Sequence, residues 1–178
     1  MNKINYIAMD VHKNSIVVAE SSSAGVSKII GTYKNTESGL KILIKMIKKR
    51  QGNVECHVCY EAGPCGYSVK RVLERSGVYC DIVAPSLIPV QGGNRIKTDQ
   101  RDAKKLARYY RAGELTMVYA PTEEQEAVRD LVRCREDIRE DVRRYKQRIG
   151  HFLLRRGNIY SGKCNWTGLY YDWIRGLS

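Results

Sequence analysis

Four carboxylates, Asp10, Glu61, Asp99 and Asp102, stand where an α/β chain would bring acids together, in a chain that is otherwise strongly basic. Asp10 closes the apolar run INYIAMD and Glu61 closes VECHVCYE, so both fall at the carboxyl ends of predicted strands. Asp99 and Asp102 lie three apart at the start of the helical stretch TDQRDAKKLARYYRAG, which makes them neighbours on one helix face. Mg2+ takes hard oxygen ligands: a few carboxylates, together with waters and substrate phosphates. Two such ions roughly 4 Å apart activate an attacking oxygen and stabilise a leaving one. Four converging acids therefore suit phosphodiester chemistry with Mg2+, or with Mn2+ in its place. Each acid alone has a plainer account, because an Asp after a strand caps a turn and acids in a first helical turn favour the helix dipole.

Basic residues surround the last two acids: Arg95, Lys97, Arg101, Lys104, Lys105, Arg108 and Arg111. Beside metal ions they would hold a phosphate backbone with little regard to sequence; otherwise they form a solvated helix face. The net charge of +12 and pI near 9.5 point to a polyanionic partner, DNA or RNA. His12, two residues past Asp10, either contacts substrate or sits as an ordinary turn histidine. Ser15, Ser68, Ser86 and Ser161 have no base at a recognisable spacing, so no nucleophile triad is expected. The loop VHKNS lacks the glycines of phosphate-cradling turns, which argues against nucleotide phosphotransfer. Cys56 and Cys59 have CxxC spacing inside a strand with no second pair, a pattern of buried thiols in a reduced compartment rather than zinc.

The elements that must carry these residues read as follows. Residues 4–10, 15–20 and 28–33 are strands of an antiparallel meander, joined by short turns. A helix spans 36–50, with Leu40, Leu43, Ile44 and Ile47 on one stripe and Thr36 or Asn35 as N-cap. A strand over 54–60, a helix over 67–76 and a strand over 79–83 follow, then a short helix or turn to Gln91. The helix bearing Asp99 and Asp102 runs to Ala112. Three meander strands followed by α/β crossovers match a ribonuclease-H-like mixed sheet flanked by helices.

Composition changes at Pro121. From 122 to 156 the chain reads as one helix in which Val128, Leu131, Arg135, Ile138, Val142, Tyr145, Ile149 and Phe152 keep a 3-4 spacing. That is a coiled-coil seam broken only by Arg135, and pairing with a second copy is favoured over folding back. The tail, 163–177, holds both tryptophans and a helix-like WTGLYYDWIRGL; its aromatics, with Tyr109 and Tyr110, either stack bases or fill core. No apolar run approaches the ~20 residues of a membrane span, so a cytoplasmic protein is expected. The division expected is a catalytic domain over 1–121, a coiled-coil helix over 122–157 and a tail over 158–178.

The segments YIAMDVHKNSIVVA, YEAGPCGYSVKRVLERSGVYCDIVAPSLIP, RIKTDQRDAKKLARYYRAGEL and VYAPTEEQEAVRDLVRCREDIREDVRRYKQRIGHFLLRRG resemble the DEDD-type transposases of bacterial insertion sequences. These recombinases are guided by a bridge RNA, and pilin-gene invertases are their relatives. The resemblance implies a RuvC-like domain whose catalytic, metal-binding tetrad is Asp10, Glu61, Asp99 and Asp102. It implies DNA and a structured guide RNA as partners, and a second domain supplying a serine nucleophile. The 178 residues then correspond to the RuvC-like domain and coiled coil, with the serine domain absent. Three functions stay open on this basis: the catalytic part of a transposase or recombinase, a stand-alone resolvase-like nuclease using metal-activated water, and a non-catalytic nucleic-acid-binding dimerisation module.

Overall fold

Alternating apolar residues and short turns make the first three strands a meander. In the computed structural model, which describes residues 4–22, 25–52, 54–89 and 98–177, β1 (Ile4–Val11), β2 (Ser15–Ser21) and β3 (Ser27–Lys34) pair antiparallel in sequence. Arg95 and Lys97 lie outside the described residues. Helix α1 (Glu37–Gln51) starts where the Thr36 hydroxyl accepts a bond of 3.2 Å from the Gly39 N–H. Gly39 is required there, since a Cβ would run into the Lys34 carbonyl oxygen.

α1 crosses over the sheet, so β4 (Glu55–Glu61) returns parallel to β1. Helix α2 (Ser68–Arg75) makes a second crossover to β5 (Cys80–Val83), parallel to β4. A two-residue strand, β6 (Met117–Val118), closes the edge antiparallel to β5; it is too short to announce itself by periodicity. The order is β3-β2-β1-β4-β5-β6, the ribonuclease-H-like mixed sheet expected.

Side-chain alternation along each strand builds a core on each face. Ile7, Met9, Val58 and Tyr60 face the stripes of α1 and α2, with Leu43, Ile47 and Leu73 fully buried among them. Ala8, Ala19 and Cys59 face the other way, against Ala103, Leu106, Ala107 and Tyr110 of helix α3 (Asp99–Ala112). Small residues on both sides let α3 lie close to the central strands, and its Tyr110 hydroxyl donates 2.6 Å to Asp81 Oδ2. Cys56 belongs to the first core and Cys59 to the second, so the CxxC thiols are on opposite faces and cannot share a zinc ion. Cys80 is buried too, whereas Cys134 and Cys164 are exposed.

The chain divides into two compact units, Met1–Ala120 and Pro121–Ser178. The second begins with a capping box, in which Thr122 Oγ1 accepts from the Gln125 N–H and the Gln125 side chain accepts from the Thr122 N–H. Helix α4 (Glu123–Arg155) is 33 residues long, about 50 Å at 1.5 Å per residue. Its polar surface is laced by pairs such as Arg139–Glu136 at 3.0 Å and Arg144–Glu140 at 3.3 Å. Gly157 ends it with φ +73°. The tail forms helix α5 (Gly168–Arg175) and folds back on the end of α4, with Lys146 Nζ 5.5 Å from the Trp166 ring. Tyr160, Trp166 and Trp173 pack around a buried Tyr170 at centroid distances of 4.9–5.4 Å, so these rings form a local core. Among the described residues no helix is long and apolar enough to cross a membrane.

Candidate metal and nucleic-acid site

Parallel pairing of β1 and β4 places the acids of the two strands at one edge of the sheet. Met9 is in register with Tyr60, so Asp10 and Glu61 are the next residue of each strand. The turn after β1 is held tightly. The His12 N–H donates to the Ser15 carbonyl at 2.8 Å, the Asn35 side-chain amide donates to the His12 carbonyl at 2.9 Å, and the Asn35 N–H donates to the Asn14 carbonyl at 3.1 Å. α3 starts at the same edge, its first turn fixed by Thr98 Oγ1 accepting from the Arg101 N–H at 3.3 Å. Asp99 is thus presented at the end of the sheet where β1 stops.

The result is a close group. His12 Nε2 lies 3.1 Å from Asp10 Oδ2 and 3.5 Å from Asp99 Oδ1. One ligand atom from each of these three residues falls within 4.8 Å of the other two. Burial raises the Asp10 pKa most; the His12 hydrogen bond and charge oppose that rise, and the negative charges of Asp99 and Asp102 add to it. Glu61 is exposed at the end of β4 and engaged in an interaction of its own. It shares the sheet edge with Asp10 but stands outside the tight trio. Two carboxylates and an imidazole, one carboxyl partly desolvated and raised by like charge, form a donor set that a divalent cation fits and relieves.

The basic residues of α3 divide into two groups. Arg101, Lys104 and Arg108 follow the exposed stripe opposite the buried Ala103, Leu106, Ala107 and Tyr110, and lead away from the acids over two turns. The Arg108 guanidinium lies 4.9 Å and the Lys105 ammonium 5.6 Å from the Tyr109 ring centre, contacts that hold both cations on this helix surface. Arg111 is twelve residues on from Asp99, about 18 Å along the helix. Its guanidinium sits beside Gly25 in the β2–β3 turn, at the other end of the sheet, and is not brought to the acids.

His12, expected from its place two residues past Asp10 either to contact substrate or to sit as an ordinary turn histidine, lies between Asp10 and Asp99. Its position beside the acids was legible in the sequence; a role as a third member of the group was not.

Residues 7–156 match the family described as Transposase, the DEDD transposases of the IS110 type. A putative transposase of Sinorhizobium fredii is 44% identical over 172 residues, covering 96% of this chain and 44% of that protein. The transposase for insertion sequence element IS1533 of Leptospira borgpetersenii is 40% identical over 181 residues, covering 99% of this chain and 51% of that protein. The chain thus spans about half the length of the curated relatives it matches. Among solved structures, T. thermophilus RuvC in complex with Holliday junction substrate aligns with 66% of this chain and all of that one, at 11% identity and a TM-score of 0.38. With the family matched over most of its length, this chain belongs to the IS110-type DEDD transposases.

Proposed function

We propose that this chain is the catalytic, RuvC-like part of a transposase that cuts and rejoins DNA in transposition under the direction of a guide RNA. The observation that carries the proposal is the convergence of Asp10, His12 and Asp99 at one sheet edge in a chain of this family. Asp10, Glu61, Asp99 and Asp102 would hold Mg2+ there, and the bound ion would supply polarisation of the scissile phosphate and charge stabilisation at the leaving oxygen. The protein's own contribution is placement: β1 and β4 hold Asp10 and Glu61 in register, and the capped start of α3 presents Asp99 beside Asp10 and His12. Arg101, Lys104, Lys105 and Arg108 hold the phosphate backbone along the exposed face of α3, with Arg95 and Lys97 as further cations for the same role. Strand exchange draws its serine nucleophile from the second domain that the family resemblance implies.

The same reading assigns α4 to dimerisation. Leu131, Ile138, Val142, Tyr145, Ile149 and Phe152 are 42–72% exposed in the single chain, a long apolar seam on a helix of otherwise charged residues. A second copy of α4 covers it.

Calorimetric titration of Mn2+ into the chain with a short DNA duplex tests the metal reading against an Asp10→Asn/Asp102→Asn variant. Binding by the wild type and at least a tenfold loss in the variant is expected. Equal binding in both would overturn the catalytic assignment and leave a nucleic-acid docking module.

A further inference from the structure

We propose that His12 is a nitrogen ligand to the ion held by Asp10 and Asp99, and that it biases this position toward first-row transition ions over Mg2+. The inference rests on the metal-site reading above and adds to it a residue outside the four acids. Neighbouring ligands of an octahedral ion at about 2.1 Å are about 3.0 Å apart, and opposite ones about 4.2 Å. Nε2 of His12 is 3.1 Å from one carboxylate oxygen, close to an adjacent-ligand separation, and 3.5 Å from the other, between the adjacent and opposite separations. All three ligand atoms lie within 4.8 Å of one another, so a cation enters with small side-chain rotations.

The imidazole is also held where a ligand is needed. Its backbone is tied on both sides, through the N–H to Ser15 and through the carbonyl to Asn35. Asn35 is in turn bonded to Asn14, so the end of β3 braces the turn. A merely solvated turn histidine requires no such bracing. The chemical consequence follows from donor type. Mg2+ prefers oxygen and dehydrates reluctantly, whereas the transition ions gain from an imidazole nitrogen. Glu61 and Asp102 offer oxygen alone, so a second ion held by those acids has no such bias. The two positions of this site are then chemically unequal.

Pulsed electron paramagnetic resonance of Mn2+ bound to the chain with a short DNA duplex reads the ligand directly, since a coordinated imidazole imprints nitrogen modulation on the echo. The modulation is expected in the wild type and in a His57→Ala control, and is expected to vanish in His12→Ala and His12→Gln. The Mg2+ concentration that displaces half of the Mn2+ should fall on the order of tenfold in His12→Ala, since removing the nitrogen weakens Mn2+ most. Mn2+ bound in an Asp10-dependent way with no nitrogen modulation overturns ligation by His12 and leaves the acidic site standing. Mn2+ binding that is no stronger than in Asp10→Asn/Asp102→Asn overturns the metal reading itself, and this proposal with it.

Discussion

Helices α1 and α4 carry apolar stripes of similar make, and the fold treats them oppositely. Leu40, Leu43, Ile44 and Ile47 of α1 are at most 9% exposed, pressed into the core beneath the central strands. Leu131, Ile138 and Tyr145 of α4 are 58–72% exposed. The difference lies in what surrounds each helix. α1 is the crossover from β3 to β4 of one sheet, so the connection itself lays its stripe on that sheet. α4 is about 50 Å long, and only its end, at Leu153, is buried with the tail. The first unit thereby buries the stripe of α1 within itself, while most of the α4 seam stays exposed in the single chain and is the surface proposed above for a second copy.

The sharpest probe of this contrast makes one substitution in both places. Leu43→Ala should cost about 3–4 kcal/mol in urea unfolding, because it leaves a cavity in a packed core. Leu131→Ala should cost under about 0.5 kcal/mol in dilute protein, with a larger loss at high concentration where pairing contributes. Equal costs in dilute protein would break the comparison. Next in size is Ile138→Lys/Ile149→Lys, which places like charges on the seam. Sedimentation should show a dimer falling to a monomer while the unfolding of the first unit stays unchanged.

A smaller effect concerns the two ends of α3. Reversing charge at Lys104, Lys105 and Arg108 should weaken duplex binding and reduce the dependence of log affinity on log salt by about 2–3, roughly one for each phosphate no longer neutralised. Arg111→Glu, at the far end of the helix, should leave that slope nearly unchanged.

The smallest effect is on stability and pH. The native state holds the Asp10 proton more tightly than the unfolded chain does, since the pKa is raised from 3.8 by burial and by the neighbouring acids. Stability is therefore lost as pH rises from that value through the raised one. In chelator at pH 7, Asp10→Asn should have a slightly higher urea midpoint than wild type, and the two should converge below about pH 4. A saturating divalent ion should reverse the order, because only the wild type gains from binding it.

Most of the site's framework was legible in the chain. Strand-end acids, an i, i+3 pair opening a helix, and apolar runs of the right lengths marked the four carboxylates and the strands and helices that bear them. β6 was not legible, because two residues carry no period. The full account of the basic surface was not legible either, since Arg101 and Arg111 look alike in sequence and only the length of α3 separates them.

By itself the amino-acid sequence determined the alternation of strands and helices, the excess positive charge, the seam of α4 and the identity of the acids. These depend on local pattern, and local pattern is what a period of two or of 3.6 residues records. Tertiary structure decided which groups meet. The parallel register of β1 and β4 sets Asp10 and Glu61 at one edge, and the bracing of the first turn by Asn35 carries His12 to both Asp10 and Asp99. Meetings between residues as distant along the chain as His12 and Asp99 arise from packing across the sheet, which no spacing along the chain encodes.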